Sequence, residues 1–187
     1  MTDFPPTWTT LPPSPIVDGG TFYTESLGSY ARRLARLSGM RWGHFLEMID
    51  AECGRGRAYA AEPQRFHKPG NVSLRRAKAL ERLTGQSLLG ATLHSFSGIL
   101  DCSSTSLDTY AAWCPVCVQS RDHDGVAATR LIWTFLAYSH CSIHGVRLES
   151  ACASCGFKRL QNVSSGTCSR CERSLCQLQD RVNRPGF

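Results

Sequence analysis

"HCSIHGVRLESACASCG", residues 140–156, holds two ligand couplets in series: Cys141 with His144 and, after a gap of seven residues, Cys152 with Cys155. Another CxxC lies upstream at Cys114 and Cys117, and a fourth couplet lies downstream at Cys168 and Cys171. Two ligands three positions apart can point at one tetrahedral ion while the intervening amides turn back on the sulfurs. Seven of the ten cysteines, together with His144, fall into such couplets. A disulfide framework predicts scattered spacings, no histidine partner and a secretion signal. The N-terminus "MTDFPPTWTTLPPSP" lacks the basic and apolar regions of such a signal. The reading is therefore a cytoplasmic protein with two structural Zn²⁺ ions. Cys53, Cys102 and Cys176 stand alone and read as buried or free thiols.

Three pairings of the couplets are open: consecutive, interleaved as in a cross-brace, or inner with inner and outer with outer. Consecutive pairing joins Cys114 and Cys117 with Cys141 and His144, then Cys152 and Cys155 with Cys168 and Cys171. It closes loops of 23 and 12 residues, and loop-closure entropy favours it slightly. "TRLIWTFLAYSHC" reads as a strand or short helix covering the first ion, and "GFKRLQNVSSGTC" as a small hairpin leading into the second. Four protein ligands leave no open position on the ion, so both sites read as structural. Such sites contribute on the order of 10 kcal/mol each in finger peptides.

The metal matters because hydrophobic residues, 42% of the chain, suffice for real cores while the second half is loop-rich and needs a staple. No stretch reaches the roughly 20 apolar residues of a membrane span. The net charge of +6 is compatible with a nucleic-acid partner without being diagnostic.

Ahead of the couplets the chain is helical. Residues 1–20 are Pro-rich and read as an extended arm. Its Phe4 and Trp8 either pack on the body or anchor a partner. A helix follows in "TESLGSYARRLARLSG", with Thr24 as N-cap, Glu25 on the dipole and Gly39 at the end. Leu27, Tyr30, Ala31, Leu34 and Leu37 share its apolar face. Arg32, Arg33 and Arg36 lie off that face, read as solvated and counted among candidate partner contacts. A second helix buries Trp42, Phe45, Leu46 and Ile49. A third opens at Ser73 and ends at Gly85, and a short fourth, "LLGATLHSF", is capped by Ser87, giving a helix-turn-helix shape. The irregular segment 54–72 and the start of the third helix carry Arg55, Arg57, Arg65, His67, Lys68, Arg75 and Arg76, the candidate nucleic-acid contacts.

The predicted fold class is a small multi-domain α+β chain: a helical helix-turn-helix domain followed by two tandem zinc fingers or ribbons. The expected divisions are the arm 1–20, helical domain 21–97, linker 98–112, fingers 113–150 and 151–175, and tail 176–187. No phosphate-binding GxxxxGK[ST], HExxH or GxSxG motif is present. "RDHDG" with Asp122, His123 and Asp124 reads as a solvated turn, and no activating base stands beside Cys53 or Cys102.

"ESLGSYARRLARLSG" (25–39) resembles the opening motif of TniQ proteins, and "RFHKPGNVSLRRAKALERLTGQSLLGATL" (65–93) resembles their helix-turn-helix. "WCPVC" (113–117) with "RLIWTFLAYSHCSIHGVRLESACASCG" (130–156) is similar to their first finger and the start of the second, which "CSRC" (168–171) completes. The resemblance implies a non-catalytic transposition accessory protein of bacterial mobile elements. It would connect a target selector, an RNA-guided CRISPR effector in some systems, to an AAA+ ATPase regulator. Ending soon after the second finger, the chain is similar to the short forms of single-effector CRISPR-associated transposons. A stand-alone DNA-binding regulator with two structural zincs is the alternative.

Overall fold

A computed structural model of the chain describes residues 9–54, 66, 70–96, 112–120, 127–158 and 163–176. Three helices organise the first half: α1 (Leu27–Leu37), α2 (Trp42–Glu52) and α3 (Asn71–Thr84). Among the described residues, the second half holds one short helix, α4 (Pro115–Gln119), and 3₁₀ turns at Leu131–Thr134 and Val163–Ser165. β-structure among the described residues consists of isolated antiparallel bridges. Each half has its own apolar core.

Helix α1 buries Leu27, Tyr30, Ala31 and Leu34 against Phe45, Leu46 and Ile49 of α2 and Ala77, Leu80 and Leu83 of α3. Leu37, expected on the same face, is 43% exposed because it lies past the end of that contact. The N-cap is Ser26, whose side chain accepts from the Ser29 N–H, and not Thr24. Thr24 instead donates its hydroxyl to the carbonyls of Asp18 and Thr21.

Glu25 lies one residue before the N-cap and not in the first turn. It is fully buried and accepts two bonds from Arg33, Nη2 to Oε2 at 2.8 Å and Nε to Oε1 at 3.3 Å. Arg33 is thereby removed from the solvated face expected of it. Its Nη1 donates to Ser14 Oγ at 2.5 Å and its Nη2 to the Pro15 carbonyl at 2.7 Å. One turn of helix carries Arg33 inward while Arg36 stays exposed, and Arg32 lies 4.2 Å above the Trp42 ring. Burial lowers the Arg32 pKa to about 10.

Residues 9–25 are a strap tied at both ends. The Leu11 N–H bonds the Leu83 carbonyl and Leu11 is buried, while the Tyr30 hydroxyl donates to the Ser14 carbonyl. The turn after α3 needs Gly85, which has φ +69° and lies against the Thr9 methyl group. The strap then joins the second half. Ser26 N–H bonds the Thr129 carbonyl at 2.8 Å, and Leu131 N–H bonds that of Thr24 at 2.9 Å. The Thr129 N–H donates to Ser29 Oγ at 3.0 Å. Phe4 and Trp8 lie outside the described residues.

Helix α3 begins two residues before the expected Ser73, whose hydroxyl donates to the Gly70 carbonyl. The expected fourth helix is two 3₁₀ turns, Leu89–Ala91 and Leu93–Phe96. Thr92 between them is extended (φ −116°, ψ 158°) and breaks the α-helical ladder.

Replacing Glu25 by Gln leaves the Arg33 charge buried without its counter-ion. We expect a loss of about 3 kcal/mol or more, read as a lower urea midpoint. A midpoint equal to wild type would show that the pair contributes nothing in solution.

Candidate metal centres

The side chains of Cys114, Cys117, Cys141 and His144 converge, as do those of Cys152, Cys155, Cys168 and Cys171. Within each group all four ligand atoms lie within 4.8 Å of one another. The couplets are thus joined consecutively, and the other two pairings are not formed.

The distances have a definite chemical meaning. A tetrahedral ion with metal–sulfur bonds of about 2.3 Å places its sulfurs about 3.8 Å apart. Cys117 and Cys141 Sγ are 3.7 Å apart, as are Cys152 with Cys171 and Cys155 with Cys168. His144 faces its group through Nδ1, which lies 3.2, 3.5 and 3.7 Å from the sulfurs of Cys117, Cys114 and Cys141. Both groups can hold a metal ion, and the donor sets fit zinc.

Local backbone chemistry builds the couplets. In "CSIHG" and "CASCG" the glycine N–H returns to the carbonyl of the first cysteine, Gly145 to Cys141 at 2.7 Å and Gly156 to Cys152 at 2.8 Å. Both glycines have positive φ, +65° and +69°, which closes the turn without a Cβ clash. Glu172 makes the same turn after Cys171, with φ +59° and its N–H on the Cys168 carbonyl at 2.9 Å. At Cys114 the start of α4 replaces this turn, with the Cys117 N–H pointing at Cys114 Sγ.

Neighbouring thiols shift in opposed directions. The hydrogen bond with Cys117 is the largest cause that lowers Cys114, to about 5. Its partner Cys117 is raised by the same contact, since only one of two touching sulfurs gives up its proton easily. At the second group burial pushes Cys168 up, but the Arg170 and Cys171 amides and neighbouring sulfurs outweigh it and bring it to about 7. For Cys171 the Arg173 amide pulls down, yet burial and the other sulfurs prevail and push it up to about 12. A bound ion would ionise all of them, so binding releases protons and weakens as pH falls.

The groups share one small core. Trp113, next to Cys114, exchanges backbone bonds with Glu149 at 2.8 Å and donates Nε1–H to the Leu175 carbonyl at 3.3 Å. Trp133 is also buried there, while Leu136, expected to cover the first ion, is 56% exposed. Nothing in the couplet spacing signalled the Trp113 link.

Among the candidate nucleic-acid contacts, Arg75 is exposed on α3. Arg76 is not a surface cation: it is buried and bonds Asp50 bidentately at 3.0 and 3.1 Å. Its guanidinium also lies 4.7 Å over the Phe66 ring. Arg55, Arg57, Arg65, His67 and Lys68 fall outside the described residues, as do Asp122, His123, Asp124 and Cys102. Burial, followed by the Asp50 charge, raises the Cys53 thiol, the opposite of an activated nucleophile.

The family model described as TniQ matches residues 20–148. The chain belongs to the TniQ family. The match spans α1 to α3 and the first metal centre, and ends before Cys152 of the second. Membership makes this TniQ protein a transposition-associated one. No curated protein matches the chain. Among the described residues no helix is long and apolar enough to cross a membrane.

Freshly purified TniQ protein should carry two metal ions per chain. Cys114→Ser and Cys168→Ser should each lose about one, and acidification should release both. Metal analysis below one ion per chain would contradict the pairing, as would disulfides in non-reducing mass spectra.

Proposed function

We propose that this TniQ protein is a non-catalytic adaptor joining a target-selection complex to an AAA+ ATPase regulator of transposition, with two zinc ions as structural staples. The single observation that carries the reading is the TniQ match over residues 20–148, which makes the chain part of a transposition apparatus. The two ligand groups support it from the chemical side. With four protein ligands, an ion has no position left for water or substrate. The metal serves shape.

An adaptor needs two separable faces on a rigid body. The N-terminal arm with Phe4 and Trp8, together with the outer side of α1 at Arg36, is the proposed regulator face. Arg33 drops out of it, being internal. The basic segment before α3 and the two fingers (113–150 and 151–175) form the proposed selector face, toward an RNA-guided CRISPR effector or another nucleic-acid-bearing selector. The bonds between residues 24–26 and 129–131 tie the start of α1 to the second half, which supports a joined body. The proposed location is the bacterial cytoplasm, where the DNA target lies.

The test is co-sedimentation with the ATP-bound regulator on DNA. Removal of residues 1–8, or Trp8→Ala, should lower recovery in the pellet with metal content and helicity unchanged. Longer truncation is uninformative, because Leu11, Ser14 and Pro15 hold the fold. Undiminished recovery would move the regulator face elsewhere. Sequence-specific duplex binding without regulator binding would make the protein a stand-alone regulator, and nuclease or ATPase turnover of the pure protein would make it an enzyme.

A further inference from the structure

Helix α3 turns one basic face to solvent. Asn71, Arg75, Lys78 and Arg82 are spaced by four, three and four residues, and all are exposed. That spacing puts them on a single stripe, about 16 Å long at 1.5 Å per residue. The opposite side anchors the helix through Arg76, Ala77, Leu80 and Leu83.

Nearby acids leave Arg75 and Lys78 of the stripe without an ion pair among the described residues. Glu81 turns its carboxylate to the Leu88 N–H at 2.7 Å, and Glu52 of α2 takes Arg82 at 2.7 Å. No side chain caps the start of α3 at Gly70, so the positive end of its dipole lies beside Asn71.

We propose that the outer face of α3 docks on B-form duplex DNA, with Arg75 and Lys78 on phosphates and Asn71 at the leading end. Charge complementarity selects a polyanion, and shape selects among polyanions. A helix about 10–12 Å across fits a major groove about 12 Å wide. The major groove of A-form RNA is too narrow to admit it. Single strands are held by aromatic platforms, and the stripe has no aromatic residue. The surface goes beyond the adaptor reading: it concerns the protein and DNA alone, whatever the protein does with a regulator.

The experiment is fluorescence anisotropy of the full, metal-loaded chain with a random-sequence 20-bp duplex, titrated across salt concentrations. Matching RNA duplex and single-stranded DNA probes run in parallel. Arg75→Gln/Lys78→Gln should weaken duplex binding and reduce the salt slope by roughly two charges at about 0.9 each. Both side chains are exposed, so circular dichroism and metal content should not move. Arg41→Gln/Arg147→Gln, two exposed cations off α3, is the control of equal charge and should lower the slope by clearly less. The proposal is overturned by absent wild-type binding to the duplex or by an unchanged slope in the double variant. An equal effect of Arg41→Gln/Arg147→Gln would reduce it to diffuse charge, and tighter binding of the RNA or single strand would reject the B-form assignment.

Discussion

The buried pair of Glu25 and Arg33 is the constraint on which the rest of the structure hangs. Its two carboxylate–guanidinium bonds lie inside the protein, and the remaining Arg33 donors hold Ser14 and Pro15 of the strap. Glu25 itself sits in the short stretch that pairs with residues 129–131. One ion pair therefore fixes the strap, the start of α1 and the attachment of the metal-bearing half. Burying two charges gains little net stability over an apolar pair. What it gives is a single geometry, because any other seating of the strap strands a charge in the interior.

The second half solves a different problem. Its apolar core includes Trp113, Trp133, Val118 and Leu148, but ligand cysteines make up much of the rest. Without an ion, the three crowded sulfurs of the first centre resist joint ionisation, as the opposed shifts of Cys114 and Cys117 indicate. With an ion, that crowding becomes coordination. Trp113, beside Cys114 and bonded to the Leu175 carbonyl, links the two centres.

The cysteine couplets were legible from spacing alone, since each is local: ligand types three apart mark it, and a glycine closes the turn in two of the four. The three helices were legible for the same reason, through apolar residues at helical intervals. The fate of Glu25 was not. Its partner is eight positions away, beyond the three- and four-residue reach of helix-surface pairs, and the strap that completes the site folds back from before the helix. The fourth helix failed for a converse reason: "LLGATLHSF" has helical periodicity, but Thr92 takes an extended conformation that periodicity does not register.

The chain contains two Arg-Arg pairs, 32–33 and 75–76, that look alike in sequence and are split alike by the fold. Successive residues on a helix are turned by about 100°, so neighbouring arginines cannot both face the same surroundings. In each pair the second arginine is buried on a carboxylate, Arg33 on Glu25 and Arg76 on Asp50. The first has no carboxylate partner: Arg32 is half-buried against Trp42 and Arg75 meets solvent. Each internal pair removes one charge of either sign from the surface, so the net +6 is untouched while its carriers are fewer and better placed. A count of basic residues overstates the surface available to a polyanion. The helical phase of each cation decides whether it serves the fold or a partner, and on α3 that phase leaves Arg75 and Lys78 on one outward line.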